Sequence, residues 1–449
     1  MNPTSNWVGK AYWNAFTLWH AHAEGRLPYR PLEEIVAVQD RRVKAIVKHA
    51  YETVPYYREA MSRAGLQPRD FRTAADLAQL PVLTGEEFAR APERFLSQAY
   101  RIGDGLKIQS SGSSGRPKEL HYDRAALFLA LAQAGRQRLV IAQFVGRRFG
   151  YREMSCVRSK SVRAQIRDFY EANSWTPRSI DLRRSIVSPG NTFEQNIGHI
   201  NAFQPDVIIG YGSYLGALFR WAWTEHRPLF RPRLVLYGAE PLPDADRLLI
   251  ERDFGVPVLA NYQAAEALRI GFQCERRQGL HLCLDAVAVR VVGEQGSTLG
   301  PGGTGSIIVS NLTNRATVLL NYKLGDVVTL GSGPCPCGRT LPTIERVVGR
   351  SDDLLVLPGG QVGHALVVLE DLRAVPGVVQ VQIVQEELRG FVLHVVCAPD
   401  TDWPLAARRL ATAMYAIVGN DASLTIRRLD VISPEPGGKV RAVISRCRR

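Results

Sequence analysis

The chain has no apolar run of the ~18 residues a membrane-crossing helix needs. It begins Met1-Asn-Pro-Thr-Ser-Asn-Trp7, without the basic start and apolar stretch of a secretory leader, so the expectation is a soluble cytoplasmic protein without a membrane partner. Internal repeats and long low-complexity segments are missing, which excludes array architectures. Cysteine is sparse: seven in 449 residues, read as thiols or metal ligands and not as a disulfide framework. The Gly-x-x-x-x-Gly-Lys-Ser/Thr spacing of a Walker A loop does not occur. No recognisable nucleic-acid motif accompanies the positive charge, so nucleic acid is not the expected partner.

What is present is an ordinary globular composition, 45% apolar and 22% charged, in a chain long enough for two or three domains. There are 56 basic against 43 acidic residues, a net charge of +13. The excess is uneven: Arg136 to Arg184 holds twelve basic and four acidic residues. That segment reads either as a solvated basic face or as a docking surface for something acidic, such as a carrier protein or the phosphates of coenzyme A.

Residues 1–100 look mostly helical. Arg41-Arg-Val-Lys-Ala-Ile-Val-Lys-His-Ala-Tyr-Glu52 has apolar residues at helical spacing, Pro55 ends that run, Asp76 and Leu77 fall in a second short helix, and Thr84-Gly-Glu-Glu87 has the form of a helix start. His20 and His22 lie two apart on a helix, where side chains diverge, so both read as structural. From 107 the pattern changes to short apolar runs ending in small-residue turns: Asp206-Val-Ile-Ile-Gly-Tyr-Gly-Ser213, Arg233-Leu-Val-Leu-Tyr-Gly-Ala-Glu240 and Val256-Pro-Val-Leu-Ala-Asn-Tyr262. Helical stretches, 215–225 and 244–254, separate them. This strand–helix–strand rhythm predicts a parallel sheet, whose ligands bind beyond the carboxyl ends of the strands. Those ends carry Tyr211, Ser213, Tyr214, Gly238, Ala239, Glu240, Tyr262 and Glu266. A β-rich stretch follows over 285–345. After 350 the chain reads as a small α+β unit, with a strand pair over 378–385 and 390–397 and a helix over 404–418.

The loop Lys107-Ile-Gln-Ser-Ser-Gly-Ser-Ser-Gly-Arg-Pro-Lys118 places two glycines and four serines before a lysine. Glycines let a backbone approach phosphate oxygens, hydroxyls and N–H groups donate, and the lysine adds charge. Further on, Tyr322-Lys-Leu-Gly-Asp326 sets a carboxylate after a turn glycine, where its two oxygens suit the two hydroxyls of a ribose. Arg346-Val-Val-Gly-Arg-Ser-Asp-Asp353 and Pro436-Gly-Gly-Lys-Val-Arg441 complete the series.

In this order, and with His49-Ala-Tyr-Glu-Thr-Val-Pro-Tyr-Tyr-Arg58 and Pro334-Cys-Pro-Cys-Gly-Arg-Thr340, the chain resembles the adenylate-forming ligases. Within them it is similar to phenylacetate–coenzyme A ligases, nearly end to end. The resemblance implies an α/β fold: an N-terminal adenylation domain over 1–350, with a helical lead-in to 100, parallel sheets and a β-rich subdomain, and a mobile α+β C-terminal domain over 351–449. It implies that a carboxylate attacks the α-phosphate of ATP to give an acyl-adenylate and pyrophosphate, after which a nucleophile displaces AMP. Position by position, Ser110, Ser111, Gly112, Ser113, Ser114, Gly115 and Lys118 would hold the β- and γ-phosphates. Gly238, Ala239 and Glu240 would line the adenine, Tyr262 would stand near the adenine or the acyl group, and Glu266 would bind Mg2+. Asp326 would hold the ribose, with Arg350 nearby. Tyr211, Ser213 and Tyr214 would line the pocket of an acid expected to be aromatic. Asp352 falls at the hinge, and Lys439 at the mobile lysine that meets the charge accumulating in the transition state.

Two departures stand out. Ala265 occupies a place usually held by Ser or Thr, which removes a hydroxyl near the α-phosphate and favours a reading as a nucleotide-binding homologue without turnover. Leu357 to His364 does not continue as in relatives that bind coenzyme A, so the acceptor stays open between coenzyme A, an amine and a carrier-protein thiol. Oligomeric state is not legible. Cys274-x6-His281 and Cys335-Pro-Cys337 supply three thiols and an imidazole, a donor set for tetrahedral Zn2+ with no open position. Some relatives hold structural zinc on a similar set. Neither spacing is that of a zinc finger, the thiols could equally pack as small hydrophobes, and Cys283 could stand in for His281.

Overall fold

The computed structural model describes residues 3–110, 118–158, 161–175, 183–293, 295–350, 354–356, 362–364, 369, 371–432 and 442–447. The expected helical lead-in is present: α1 (Pro3–Arg26), α2 (Leu32–Thr53), α3 (Pro55–Arg63) and α4 (Gly85–Arg90). Pro55 both stops α2 and starts α3, where its missing N–H costs nothing. Thr84 caps α4 by accepting from the Glu87 amide at 3.2 Å. Among the described residues no helix is long and apolar enough to cross a membrane.

A hairpin, β1 (Gly105–Ser110) and β2 (Lys118–Asp123), forms a sheet of its own. Asp123 then caps α5 (Arg124–Val145) by accepting from the Ala126 amide at 2.9 Å, and Gly146 ends that helix in the left-handed region. Next come β3 (Arg152–Cys156), α6 (Val162–Asn173), β4 (Arg183–Val187), α7 (Phe193–Phe203), β5 (Val207–Tyr211), α8 (Gly212–Thr224), β6 (Leu234–Gly238), α9 (Asp244–Arg252) and β7 (Val258–Tyr262). All five of these strands pair in parallel. β3, β5, β6 and β7 are buried on both faces, as strands covered on two sides require, whereas β4 at the sheet edge is mostly exposed.

The β-rich stretch is not a separate sheet. Short strands β8 (Gly271–Gln273) and β9 (Leu280–Leu282) turn the chain back, and β10 (Val287–Val292), β11 (Thr304–Asn311), β12 (Tyr322–Leu330) and β13 (Thr343–Arg350) continue the same sheet in antiparallel fashion. The result is one eleven-stranded sheet in the order β10-β11-β12-β13-β9-β8-β7-β6-β5-β3-β4. Because β8 and β9 are only three residues each, no alternation in the sequence announces them.

After a short hairpin, β14 (Leu354–Val356) and β15 (Val362–His364), the chain forms a smaller four-stranded sheet. Its strands are β16 (Val378–Glu387), β17 (Gly390–Cys397), β18 (Ser423–Arg428) and β19 (Val443–Ser445). A helix over Trp403–Val418 packs Leu410 and Met414 into a core of its own with Ile383, Leu393 and Val395. The two units meet at α8, where the Arg220 guanidinium donates to the carbonyls of Val378 (2.8 Å) and Val379 (3.2 Å) while also bonding Asp246 of α9.

Candidate active site and cysteine–histidine cluster

The hairpin makes Ser110 and Lys118 backbone neighbours across β1 and β2, so the Ser/Gly-rich segment joins their ends. The Lys118 ammonium is buried and donates to the Tyr322 hydroxyl at 2.7 Å and to Glu266 Oε1 at 3.3 Å. The Tyr322 hydroxyl in turn donates to Glu266 Oε1 at 3.2 Å. Lys118 needs the space above the first turn of α4: a Cβ at Gly85 would stand 2.6 Å from its ammonium. The loop after β7 is clamped from two sides. The Tyr122 hydroxyl donates to the Ala265 carbonyl at 2.6 Å, and the Asn311 amide donates to the Glu266 carbonyl at 3.1 Å. Glu266 is therefore aimed by the backbone under it and not only by its partners.

A second pair lies beside the first. The Tyr262 hydroxyl, at the end of β7, donates to Asp326 Oδ2 at 2.6 Å. Asp326 stands directly across from Arg350 in the β12–β13 ladder. At the end of β6, Ala239 adopts a left-handed backbone (φ +64), a costly conformation for a residue with a Cβ. The Ser213 hydroxyl donates to the Glu240 carboxylate. Gly212 lets that turn come close, since a Cβ there would meet the Glu240 carbonyl and the Leu242 amide at 2.6 Å each. Burial and the neighbouring Glu240 push the Tyr211 hydroxyl above its ordinary pKa.

These groups line one cleft of about 2440 Å³, which also reaches Val379, Gln380, Ala442 and Val443 of the smaller unit. Lys118, Tyr211, Ser213, Gly238, Ala239, Glu240, Tyr262, Glu266 and Asp326 all face it. Tyr214 does not. It follows Ser213 on α8, about 100° further round the helix, and packs against Phe193 with its hydroxyl on the Asn196 amide. Its expected place in the acid pocket is corrected accordingly. Ser111, Gly112, Ser113, Ser114, Gly115, Asp352 and Lys439 lie outside the described residues, as do the side chains of Ser110 and Arg350.

Outside the cleft lining, Cys274, His281, Cys335 and Cys337 converge, their ligand atoms all within 4.8 Å of one another. The Cys274 and Cys335 sulfurs are 3.7 Å apart, and the Cys337 sulfur is 3.3 Å from His281 Nε2. Burial lowers the His281 pKa to about 4, which keeps the ring neutral and its lone pair available. Cys283 is not in this group; its thiol lies in the field of Arg136 and Asp285.

No family model matches the chain. It is 30% identical over 365 residues to a phenylacetate–coenzyme A ligase of Thermus thermophilus, covering 78% of this chain and 77% of the relative. The chain belongs to the phenylacetate–coenzyme A ligase family. An Escherichia coli phenylacetate–coenzyme A ligase is 29% identical over 349 residues, 73% of this chain and 74% of its own. In fold, the ligase overlays a solved 2-hydroxyisobutyryl-CoA ligase in its postadenylation state with a TM-score of 0.74, at 18% identity, over 94% of this chain and 91% of that one. As a member of this family the protein is an AMP-forming acid ligase.

Several groups that shape this ligase's site carried no recognised signal in the sequence. Tyr322 opens the Tyr-Lys-Leu-Gly-Asp motif but reads there as a strand residue; only the fold shows it between Lys118 and Glu266. Gln137 and Asn261, whose side-chain amides bond each other (2.8 Å from Asn261 Nδ2 to Gln137 Oε1), line the cleft from α5 and β7. They are 124 positions apart, beyond any local pattern.

Proposed function

We propose that this protein activates a carboxylic acid as its acyl-adenylate and passes the acyl group to the thiol of coenzyme A. The observation that carries the reading is the convergence of Lys118, Glu266, Tyr262 and Asp326 beside the Gly238–Ala239–Glu240 turn, in a chain of this family. In the first half-reaction a carboxylate oxygen of the acid attacks the α-phosphorus and the bond to pyrophosphate breaks. In the second the thiol sulfur attacks the acyl carbon and AMP leaves.

Asp326 accepts from the ribose hydroxyls, and the Tyr262 hydroxyl fixes the orientation of its carboxylate. The turn over 238–240 lines the adenine. Ser110 to Gly115 and Lys118 hold the β- and γ-phosphates, and Lys439 bridges the α-phosphate and the attacking carboxylate. The segment at Asp352 is the hinge about which residues 351–449 turn between half-reactions. Glu266, held from two sides by its own backbone, fits Mg2+, which when bound offsets the charge of the phosphates. Tyr211 and Ser213 line the acid pocket.

The four Cys/His donors fit a structural Zn2+. In a tetrahedral site with Zn–S near 2.3 Å the sulfurs stand about 3.8 Å apart, close to the 3.7 Å between Cys274 and Cys335. Purified protein should carry one zinc per chain by elemental analysis, and Cys337→Ser should lose it.

The decisive test of function is ATP–pyrophosphate exchange with aryl, alkyl and amino acids, without an acceptor. Exchange confined to one class establishes adenylation and names the acid. ATP binding without exchange across the panel would instead favour a nucleotide-binding homologue, the reading that Ala265 supports.

A further inference from the structure

α1 is apolar nearly all round: between Pro3 and Ala23 its only carboxylate, lysine or arginine side chain is Lys10. A helix of that kind is ordinarily buried on every side, yet α1 is covered on one side only. Its inner side packs on α5, where Trp13 stacks on Phe128 with ring centroids 4.9 Å apart, and Phe16 packs against the same core. The opposite side carries Val8, Tyr12, Ala15 and Trp19, all exposed, Tyr12 at 60% and Trp19 at 77%. Steps of four, three and four set these residues in one line, at the 3.5-residue period of a helix–helix seam. Lys10 stands about 200° round the helix from Val8, off that line. Leu18 and Trp7 flank the line, and Trp7 meets the half-exposed Trp175 at 5.6 Å. Trp7, Val8, Tyr12, Leu18, Trp19 and Trp175 together leave roughly 800 Å² of mainly apolar surface open. The largest patch on a typical monomer is about 300–600 Å². Val8, Tyr12, Ala15 and Trp19 do not line the cleft, so no substrate covers them.

We propose that this face of α1 is the interface with a second copy of the chain, formed by two α1 helices packed antiparallel about a twofold axis. The seam is complementary to itself in size. With the axis at the level between Trp13 and Asn14, Trp19 faces the partner's Val8, Tyr12 the partner's Ala15 and Leu18 the partner's Gly9. Each bulky side chain therefore meets a small one, and the symmetry repeats the match. Parallel pairing would set Trp19 against Trp19 and leave a gap where Ala15 met Ala15. The open area matches the ~800 Å² per partner of a standard interface. Two chains of net charge +13 would also meet at a face that carries none of that charge. A helix lying on an anionic lipid surface is rich in lysine and arginine beside its apolar face, and α1 has only Lys10 before its last turn. The pairing does not depend on the adenylation chemistry.

Sedimentation equilibrium of the full chain tests this by reading its mass and dissociation constant. The native protein is expected at twice 49.8 kDa at micromolar concentration. Trp19→Glu puts a charge into the seam and should raise the dissociation constant about 30-fold or more, the loss of a central aromatic anchor. Its circular dichroism should not change, because the side chain is exposed in the single chain. Ala15→Tyr sets a tyrosine against the partner's Tyr12 and should weaken the dimer about 10-fold by overpacking. Tyr12→Ala combined with Ala15→Tyr exchanges large for small across the axis and should restore nearly native association. On a lipid surface, Ala15→Tyr would only add apolar area and strengthen binding. A native monomer overturns the proposal, and cosedimentation of that monomer with phosphatidylglycerol vesicles would assign the face to lipid. A dimer untouched by Trp19→Glu, tighter association in Ala15→Tyr, or a size exchange that fails to restore pairing overturns it as well.

Discussion

Two groups of paired buried charge in this protein are built in different ways. Asp285 has no exposed surface, and both its oxygens are consumed within the protein: Arg136 donates to Oδ1 at 2.7 Å and to Oδ2 at 2.8 Å, and Gln133 to Oδ2 at 2.8 Å. Arg136 continues to Glu24 at 2.6 Å, and Arg42 reaches the same carboxylate at 2.9 Å. This closed circuit ties α1, α2 and α5 to the sheet. The group around Lys118 is looser, with 3.3 Å to Glu266 and 3.2 Å from Tyr322 to the same oxygen, and it faces the cleft. A saturated network makes structure; a network meant to exchange partners must hold its members in place without using them up.

The comparison breaks if damage to the closed circuit impairs chemistry instead of folding. Asp285→Ala leaves Arg136 buried without its main partner and should cost about 3–5 kcal/mol of stability, read by denaturant unfolding, with exchange activity per folded molecule retained. The circuit also has a pH signature. Burial alone would raise the Asp285 pKa, but the charge of Arg136 beside it holds the carboxyl far below its ordinary range. A carboxyl depressed on folding stabilises above its unfolded value of about 3.9 and loses that contribution as pH falls. The melting temperature of the native protein should therefore drop more steeply between about pH 4 and pH 2 than that of Asp285→Asn.

The cleft group should respond the other way round. Lys439→Ala is expected to lower pyrophosphate exchange about 10³-fold while ATP still binds by calorimetry. Full exchange in that variant would remove the lysine from the reaction. Lys118→Ala should lower exchange about 10²-fold with a smaller loss of melting temperature than Asp285→Ala. The smallest effect is expected of Tyr262→Phe, which removes one hydrogen bond to Asp326. The KM for ATP should rise about 5-fold, near 1 kcal/mol, with kcat little changed.

The same contrast explains how far the site could be read from the sequence. That Glu266, Asp326 and Lys118 face one cleft was legible because each stands in or beside a turn motif. Three of the five parallel strands, β5, β6 and β7, were legible too, because they are uninterrupted apolar runs; β3 and β4, with Arg152, Glu153, Arg183 and Arg184, are not. Asp285 and Arg136 were not, since a carboxylate and a guanidinium 149 positions apart share no local pattern. Tyr214 misled because adjacency to Ser213 in sequence is divergence on a helix. Joining of the parallel and antiparallel strands into one sheet depended on β8 and β9, each too short to show a period.

Arg220 gives the junction between the two units a particular economy. Its guanidinium is anchored to Asp246 within the larger unit, so of its described bonds those to the Val378 and Val379 carbonyls are the ones that would part if the smaller sheet swung away from α8. The donor remains oriented afterwards, like a catch fixed to the doorframe, and water can satisfy what the carbonyls give up. If the units part as the proposed hinge requires, separation and return would need no reordering of this long side chain, which lowers the entropic cost of re-forming the junction.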